Sequence, residues 1–194
     1  MSVPDRSHWD AVYRHMTGSG SPYPDPDPLL FMYTPPVALT QPPPLALDLA
    51  CGVGQNGLWL ATQGYTVDLV DISRVALMVA QANAAERSIR RVNYLQLDLD
   101  TAAFEGKLDR IGFDFVCVFR YFRRALLPHL RSIVKPGGRI IYETWNTNHL
   151  GMDSSLSRDD VAEVGELSGI FADWNLLRNR DNNGVSQVVA IKPE

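Results

Sequence analysis

Cysteine is scarce. Cys51 and Cys117 are the only two in 194 residues, and each lies inside an apolar run. Such a pair reads as two buried, reduced thiols rather than a disulfide. Neither has a cysteine or histidine at metal-ligand spacing, so no metal site is expected. Long apolar runs are missing too: none approaches the roughly 20 residues of a membrane span. The opening MSVPDRSHWD has neither the basic region nor the apolar core of a secretory signal. A cytoplasmic protein with no membrane partner is therefore expected. Positive charge is not in excess. The net charge of -4 weighs against a chain built to wrap nucleic acid, although Arg120, Arg123, Arg124 and Arg131 lie close enough for a local basic patch. Repeats are absent, and low complexity is confined to two proline clusters.

Hydrophobic residues at 45% and charged residues at 21% are ordinary globular values, and 194 residues fit one domain with a short arm. The clusters SPYPDPDPLL and TPPVALTQPPP forbid continuous helix, because each proline removes a donor and restricts the residue before it. Residues 1–44 read as an arm: a short helix around Trp9 to His15, a loop, and one further helical turn. Residues 45–194 read as the main domain. Apolar strands are expected at Leu45–Ala50, Thr66–Ile72, Val92–Leu99, Phe113–Phe119 and Arg139–Trp145, then near Asn175–Arg178 and Ser186–Ile191. Helices are expected at Asn56–Gln63, from an N-cap at Ser73 to about Arg87, at Leu126–Val134 and at Asp159–Phe171. The alternation predicts a doubly wound α/β fold with a mainly parallel, seven-stranded, Rossmann-like sheet and an antiparallel C-terminal strand. Ligands bind such sheets beyond the carboxyl ends of the strands.

The strongest chemical signal is ALDLACGVGQNG, Ala46 to Gly57, in which a strand runs into a glycine turn and then a helix. Glycines there allow a sharp turn and a close backbone approach to a ligand, and the helix start offers free N–H groups. Gly52, Gly54 and Gly57 fit GxGxxG, so a nicotinamide-dinucleotide oxidoreductase is one reading. Asp48, however, stands where a dinucleotide strand wants an apolar side chain, and a carboxylate there suits an ammonium group or hydroxyls. Asp71 ends the second strand and suits a ribose diol in either cofactor. Asp98 ends the third and suits an adenine amino group. Three acids at three strand ends beside a glycine turn form the pattern expected for S-adenosylmethionine, whose charge is positive where a dinucleotide brings two phosphates.

The segments ALDLACGVGQNG, VDLVDIS, QLDLD, FDFVCVFRYF and KPGGRIIYET resemble, in order and spacing, the motifs of class I S-adenosylmethionine-dependent methyltransferases over about residues 45 to 145. Within that class Asn56, the FRYFRR stretch, the YET ending and the opening HWDAVYRH are similar to bacterial small-molecule enzymes of the tellurite-resistance and thiopurine methyltransferase-like group. The resemblance implies that Asp48, Ala50, Gly52 and Gly54 form the turn against the methionine part, with Asn56 in the motif. It implies Asp71 on the ribose, Ile72 on adenine, Asp98 on the adenine amino group and Leu99 beside it. Trp9 and Tyr13 would lie over the cofactor, with Phe119 and Arg120 facing the reacting methyl. Two departures stand out: Arg123 replaces a histidine common in the fourth-strand motif, and NTNHLGMDSSLSRDD lacks the usual proline-containing loop.

Around the methyl the candidates are Trp9, Tyr13, Arg120, Tyr121, Glu143 and Trp145. Arg120, Tyr121 and Glu143 are the catalytic set. Each has a structural reading beside the functional one. Trp9 and Tyr13, four apart, can anchor a helix, and Glu143 can be a base or the ion-pair partner of Arg120. The acceptor expected is a small molecule: a thiol, a tellurite- or selenite-like oxyanion, or another small anion. A monomer or homodimer is expected. Phe119, Arg120, Tyr121 and Phe122 occupy the position where base-modifying enzymes carry an Asn/Asp-Pro-Pro-aromatic motif, so nucleic acid is disfavoured as substrate. A non-catalytic S-adenosylmethionine-binding protein is the other alternative.

Overall fold

The five residues Leu45–Leu49 form β1, buried from Ala46 onward because four of the five are aliphatic and both faces of the strand are covered. The computed structural model describes residues 3–38, 42–99, 112–153 and 155–194, with side chains from Arg6 onward. Seven strands follow the order β3-β2-β1-β4-β5-β7-β6 in one sheet. By contact density the chain divides into two units, Met1–Asp109 and Arg110–Glu194.

In the first unit β1 is joined in parallel by β2 (Thr66–Asp71), and β2 by β3 (Val92–Gln96). Two helices make the crossovers. The first, α3 (Gln55–Thr62), starts from Gly54 in the left-handed region. The second, α4 (Arg74–Glu86), starts from Ser73, whose hydroxyl accepts from the Ala76 N–H as expected of that N-cap. Ahead of them lie α1 (Val3–Gly18) and α2 (Pro28–Tyr33). The arm is thus more helical than its prolines suggest. Pro28 sits at the start of α2, where no donor is needed, and Asp27 caps it through Leu29 N–H. Leu29 and Leu30 are buried.

Gly57 fits the helix to the sheet. A Cβ there would lie 2.2 Å from Leu69 Cδ2 and 3.0 Å from Asp48 Oδ2. Gly57→Ala is expected to lower stability by about 1–3 kcal/mol, as overpacking does. Chemical denaturation checks this, and an unchanged midpoint with unchanged slope would show that α3 has room to shift.

In the second unit β4 (Phe113–Phe119) pairs in parallel with β5 (Val134–Trp145), and β5 pairs antiparallel with β7 (Val185–Ile191). The edge strand β6 (Asn175–Asn182) pairs antiparallel with β7, turning at Asn183 and Gly184, both with positive φ. Asn-Gly suits that tight hairpin.

Two expectations are corrected here. The KPGG stretch does not delay β5 until Arg139: Val134 already pairs with Phe113, and the chain bulges before Arg139 meets Phe115. Gly137 N–H donates to Lys192 O and Lys192 N–H to Gly138 O, so the bulge is held by the C-terminal strand's continuation. Nor is Asp159–Phe171 one helix. A 3-10 turn at Arg158–Asp160 gives way to extended Val161, Ala162 bridges to Asn146, and only Glu166–Ile170 is α-helical (α6). Burial of Val161 and Ala162 and the left-handed Gly165 override the helical periodicity. The remaining helix, α5, spans Leu127–Ile133. Both cysteines are buried, and neither forms a disulfide among the described residues. No helix among the described residues is long and apolar enough to cross a membrane.

Candidate active site

Beyond β1 the backbone alternates through left-handed residues: Ala50 at φ 54°, Gly52 at 55° and Gly54 at 81°. For glycine this costs little. For Ala50 it is stored strain of about 1 kcal/mol or more, a feature that clusters at ligand-binding turns. Asp71, the last residue of β2, holds the turn in place. Its Oδ2 accepts from Gly52 N–H at 2.7 Å and its Oδ1 from Ser73 N–H at 2.8 Å. One carboxylate therefore ties the glycine turn to the start of α4.

Asp71 is only 5% exposed. Burial raises its pKa above the ordinary value, against the lowering effect of N–H donors from Ser73, Gly52 and Ile72, and nearby Asp10 adds to the rise. Asp48, 1% exposed, takes the Gly57 N–H at 2.8 Å. The region around the turn is consequently acidic. Burial first, then Asp71, Cys51 and Asp48, pushes the Tyr13 hydroxyl well above its usual range. Burial, Asp48 and Asp71 do the same to the Cys51 thiol.

Tyr13 stands over the turn: a Cβ on Gly52 would lie 2.7 Å from Tyr13 Oη. Trp9 is 37% exposed, with its ring 6.0 Å from that of Tyr13. Between them Asp10 does something the sequence reading missed. Its Oδ1 accepts from Ser73 Oγ at 2.6 Å and Val75 N–H at 3.2 Å, latching α1 onto the start of α4. Burial would raise the Asp10 pKa, but the Ser73 and Val75 donors and the arginines at 14 and 6 together lower it. The contribution of Asp10 to stability is therefore present above the ordinary carboxyl value and lost as the pH falls through the lowered one. Asp10→Ala is expected to cost about 1–2 kcal/mol and to speed amide exchange in α1 selectively. Uniform protection along α1 in the variant would show that the latch does not hold the helix.

Asn56 is buried, and its Oδ1 accepts from Asp27 N–H at 2.8 Å, so it fastens the arm to α3. Ile72 is half-buried and its carbonyl accepts from Gln96 Nε2. Asp98 and Leu99 lie two and three residues past β3 rather than within it, Asp98 half-buried and Leu99 buried. In the second unit Phe119 is the last, half-buried residue of β4.

Arg120 follows at φ 58°, a strained conformation for a non-glycine residue, with its N–H on Glu143 O at 2.8 Å. Its guanidinium lies 2.8 Å from Glu143 Oε1 and 4.1 Å over the Trp145 ring, which stacks on His149. Glu143 is 3% exposed and also accepts from Gln187 Nε2. Of its two sequence readings, the geometry matches the ion-pair partner of Arg120. Tyr121 is half-buried, and its carbonyl accepts from Tyr142 Oη at 3.1 Å.

The supposed basic patch is dismantled by pairing. Arg123 meets Asp160, Arg124 meets Glu166 through two bonds, and Arg131 meets Asp173 through two more. Sequence reasoning also missed Arg178, Arg180 and Gln187 on β6 and β7. The alternation of Arg178, Arg180 and Asn182 was the available signal.

Residues 46–138 match the family model of a methyltransferase domain. The chain is 29% identical over 155 residues to hemagglutinin 1 of Eikenella corrodens, covering 75% of this chain and 49% of that protein. It is 32% identical over 107 residues to a ubiquinone biosynthesis O-methyltransferase of Alkalilimnicola ehrlichii, covering 53% of this chain and 42% of that protein. The chain thus spans about half, or less, of the length of these curated relatives. Among solved structures, a protein studied for the conversion of a disulfide bond into a thioacetal group during echinomycin biosynthesis superposes with a TM-score of 0.67. It shares 20% identity, over 97% of this chain and 93% of that one. The likeness is one of fold.

Proposed function

We propose, from the match of residues 46–138 to a methyltransferase domain, that the protein transfers a methyl group from S-adenosylmethionine to a small-molecule acceptor. The observation that carries this reading is the acidic, left-handed turn: buried Asp48 and Asp71 beside Gly52, with burial and these neighbouring acids raising the pKa of Tyr13. A cationic ligand is stabilised in such a field, whereas the pyrophosphate of a dinucleotide is repelled. That contrast argues against the nicotinamide alternative, although GxGxxG alone fits both.

The residues present fit an adenosyl ligand. With N–H groups of Gly52, Ser73 and Ile72 on its carboxylate, Asp71 keeps about one of its four lone-pair sites for a ribose hydroxyl. Ala50, Gly52 and Gly54 form the turn against the methionine part. Asp98, Leu99 and Ile72 serve the adenine, and Trp9 and Tyr13 cover the site as part of a 1–44 arm. Asn56 acts at one remove, by fastening that arm through Asp27. When bound, S-adenosylmethionine supplies a methyl on a sulfonium, whose in-line displacement needs alignment and exclusion of water more than acid–base help. On the acceptor side the reading assigns Phe119, Arg120 and Tyr121, with Glu143 holding Arg120. The finer reading is a thiol or small oxyanion as acceptor, in the manner of the tellurite-resistance and thiopurine methyltransferase-like group. It includes a cytoplasmic monomer or homodimer.

Parallel calorimetric titration with S-adenosylmethionine, S-adenosylhomocysteine and NAD tests the cofactor. Micromolar binding of both adenosyl ligands and none of NAD is expected; binding of NAD alone overturns the reading. Methyl transfer from labelled cofactor to thiols, tellurite or selenite then separates an enzyme from a non-catalytic binder.

A further inference from the structure

A cavity of about 240 Å³ opens on the second unit, lined by Arg120, Glu143, Gln187, Arg178, Arg180 and Asn182 among others. Its floor is set by strand register. Glu143 of β5 is the cross-strand partner of Gln187 on β7, and Gln187 is the partner of Arg180 on β6. Residues paired in this way share a face of the sheet, and Arg178 and Asn182, each two residues from Arg180, share it too. Asp181 alternates to the opposite face, where it pairs with Ser186 Oγ. It therefore does not neutralise the cavity.

The polar groups are locked in sequence. Gln187 donates its amide to Glu143 Oε2 and accepts from Arg178 Nε at 2.7 Å, which fixes both ends of the amide. Glu143 already faces Arg120 at 2.8 Å. Three guanidinium groups thus share one carboxylate. Among the described residues the Arg180 side chain makes no hydrogen bond or ion pair, and the Arg178 side chain is held through Nε alone. Charge on a sheet edge blunts unwanted strand pairing, but that role requires no amide relay holding an arginine side chain in one orientation. A fixed guanidinium fork beside a free one is the arrangement that recognises terminal oxygens of an anion, planar or tetrahedral.

We infer that this cavity, formed by Arg120, Arg178, Arg180 and the Glu143–Gln187 relay, is an anion-binding subsite that takes the charged head of a small acidic molecule. As a place for the methyl acceptor it rests on the methyl-transfer reading; as an anion site it does not. Arg180 is the principal recognition residue, Arg178 the oriented second donor, and Gln187 a positioning residue.

The test follows guanidinium NMR resonances of the full chain during titration with sodium malonate, sodium phosphate and sodium tellurite. Ionic strength is held constant with sodium chloride. Saturable shifts at Arg180 and Arg178 with malonate or phosphate are expected, and tellurite alone would assign the site to an inorganic oxyanion. Arg180→Gln is expected to weaken the binding about 10-fold or more, the loss of one charge-assisted bond. S-adenosylhomocysteine affinity is expected to be unchanged in that variant. Gln187→Leu is expected to release Arg178 and weaken anion binding while Arg180 still responds. Shifts that never saturate, or that chloride reproduces, overturn the inference. If S-adenosylhomocysteine binds and no anion does, this subsite falls and the methyl-transfer reading stands. If an anion binds and S-adenosylhomocysteine does not, the reverse holds.

Discussion

Replacing Asp71 by alanine is expected to lower stability by about 2–6 kcal/mol and to abolish measurable binding of adenosyl ligands. The stability loss follows from two N–H donors, those of Gly52 and Ser73, left in a buried site with no acceptor, at about 1–3 kcal/mol each. The binding loss follows because the same carboxylate shapes the turn and is assigned to the ribose. Asp71→Asn separates the two effects. It keeps the volume and one acceptor, so stability should fall less while ligand affinity still drops about 10-fold or more. Denaturation midpoints and calorimetry check both variants. Wild-type affinity in Asp71→Asn would remove the carboxylate from the ligand site and leave it a structural tie.

The pH dependence of this residue has a definite sign. Because burial raises its folded pKa above 3.8, its contribution to stability is fully present below the ordinary value. It is lost as the pH rises through the folded one. Asp71→Asn should therefore flatten the stability profile just above the ordinary carboxyl range, while Asp10, whose pKa is lowered, acts in the opposite direction below it.

Alkaline conditions are expected to unfold the protein steeply. Tyr142 is 0% exposed in the core of the second unit, and burial pushes its hydroxyl well above 10.0, with a smaller rise from Glu166 and an opposing effect of Arg123. Tyr13 is raised likewise, by burial and then by the surrounding acids. Both groups contribute stability below the ordinary tyrosine value and lose it as the pH climbs toward their folded values, since the unfolded chain releases protons that the folded chain keeps. Each such group adds a slope of about 1.4 kcal/mol per pH unit above pH 10, and Tyr23, whose hydroxyl burial also raises, adds a third. That is enough to exhaust an ordinary domain's stability within a few units. Urea midpoints at closely spaced alkaline pH values measure the slope. Tyr142→Phe should lower it by about 1.4 kcal/mol per pH unit, and a flat profile between pH 10 and 11 would contradict the placement of these hydroxyls.

Local chemistry made much of the fold legible. Alternating short aliphatic strands and capped helices needed only neighbours in sequence, so β1, β2, β4, α3 and α4 fell within a residue or two of their expected bounds. The last two strands were expected, but β6 runs on to Asn182 instead of ending near Arg178, because its pairing with β7 continues to the Asn183-Gly184 turn. Where long-range contacts compete with local periodicity, the reading failed. Asp159–Phe171 has helical spacing, yet Ala162 bridges to Asn146 and Val161 is buried in extended backbone. The KPGG bulge is likewise set by pairing with Phe113 and Phe115 and by Lys192.

By itself the sequence determined the α/β class, the glycine turn after β1 and the acids at the ends of β1 and β2. These depend on residue type at short spacing. Tertiary structure alone decided what each side chain does. Asn56 holds Asp27, Asp10 latches onto Ser73, and the four clustered arginines are each matched by a carboxylate far along the chain. The charged cavity on β5, β7 and β6 exists only because register brings Glu143, Gln187 and Arg180 into one row. Partner choice of this kind is a property of distance in space, and a one-dimensional pattern does not encode which of several acids an arginine will reach.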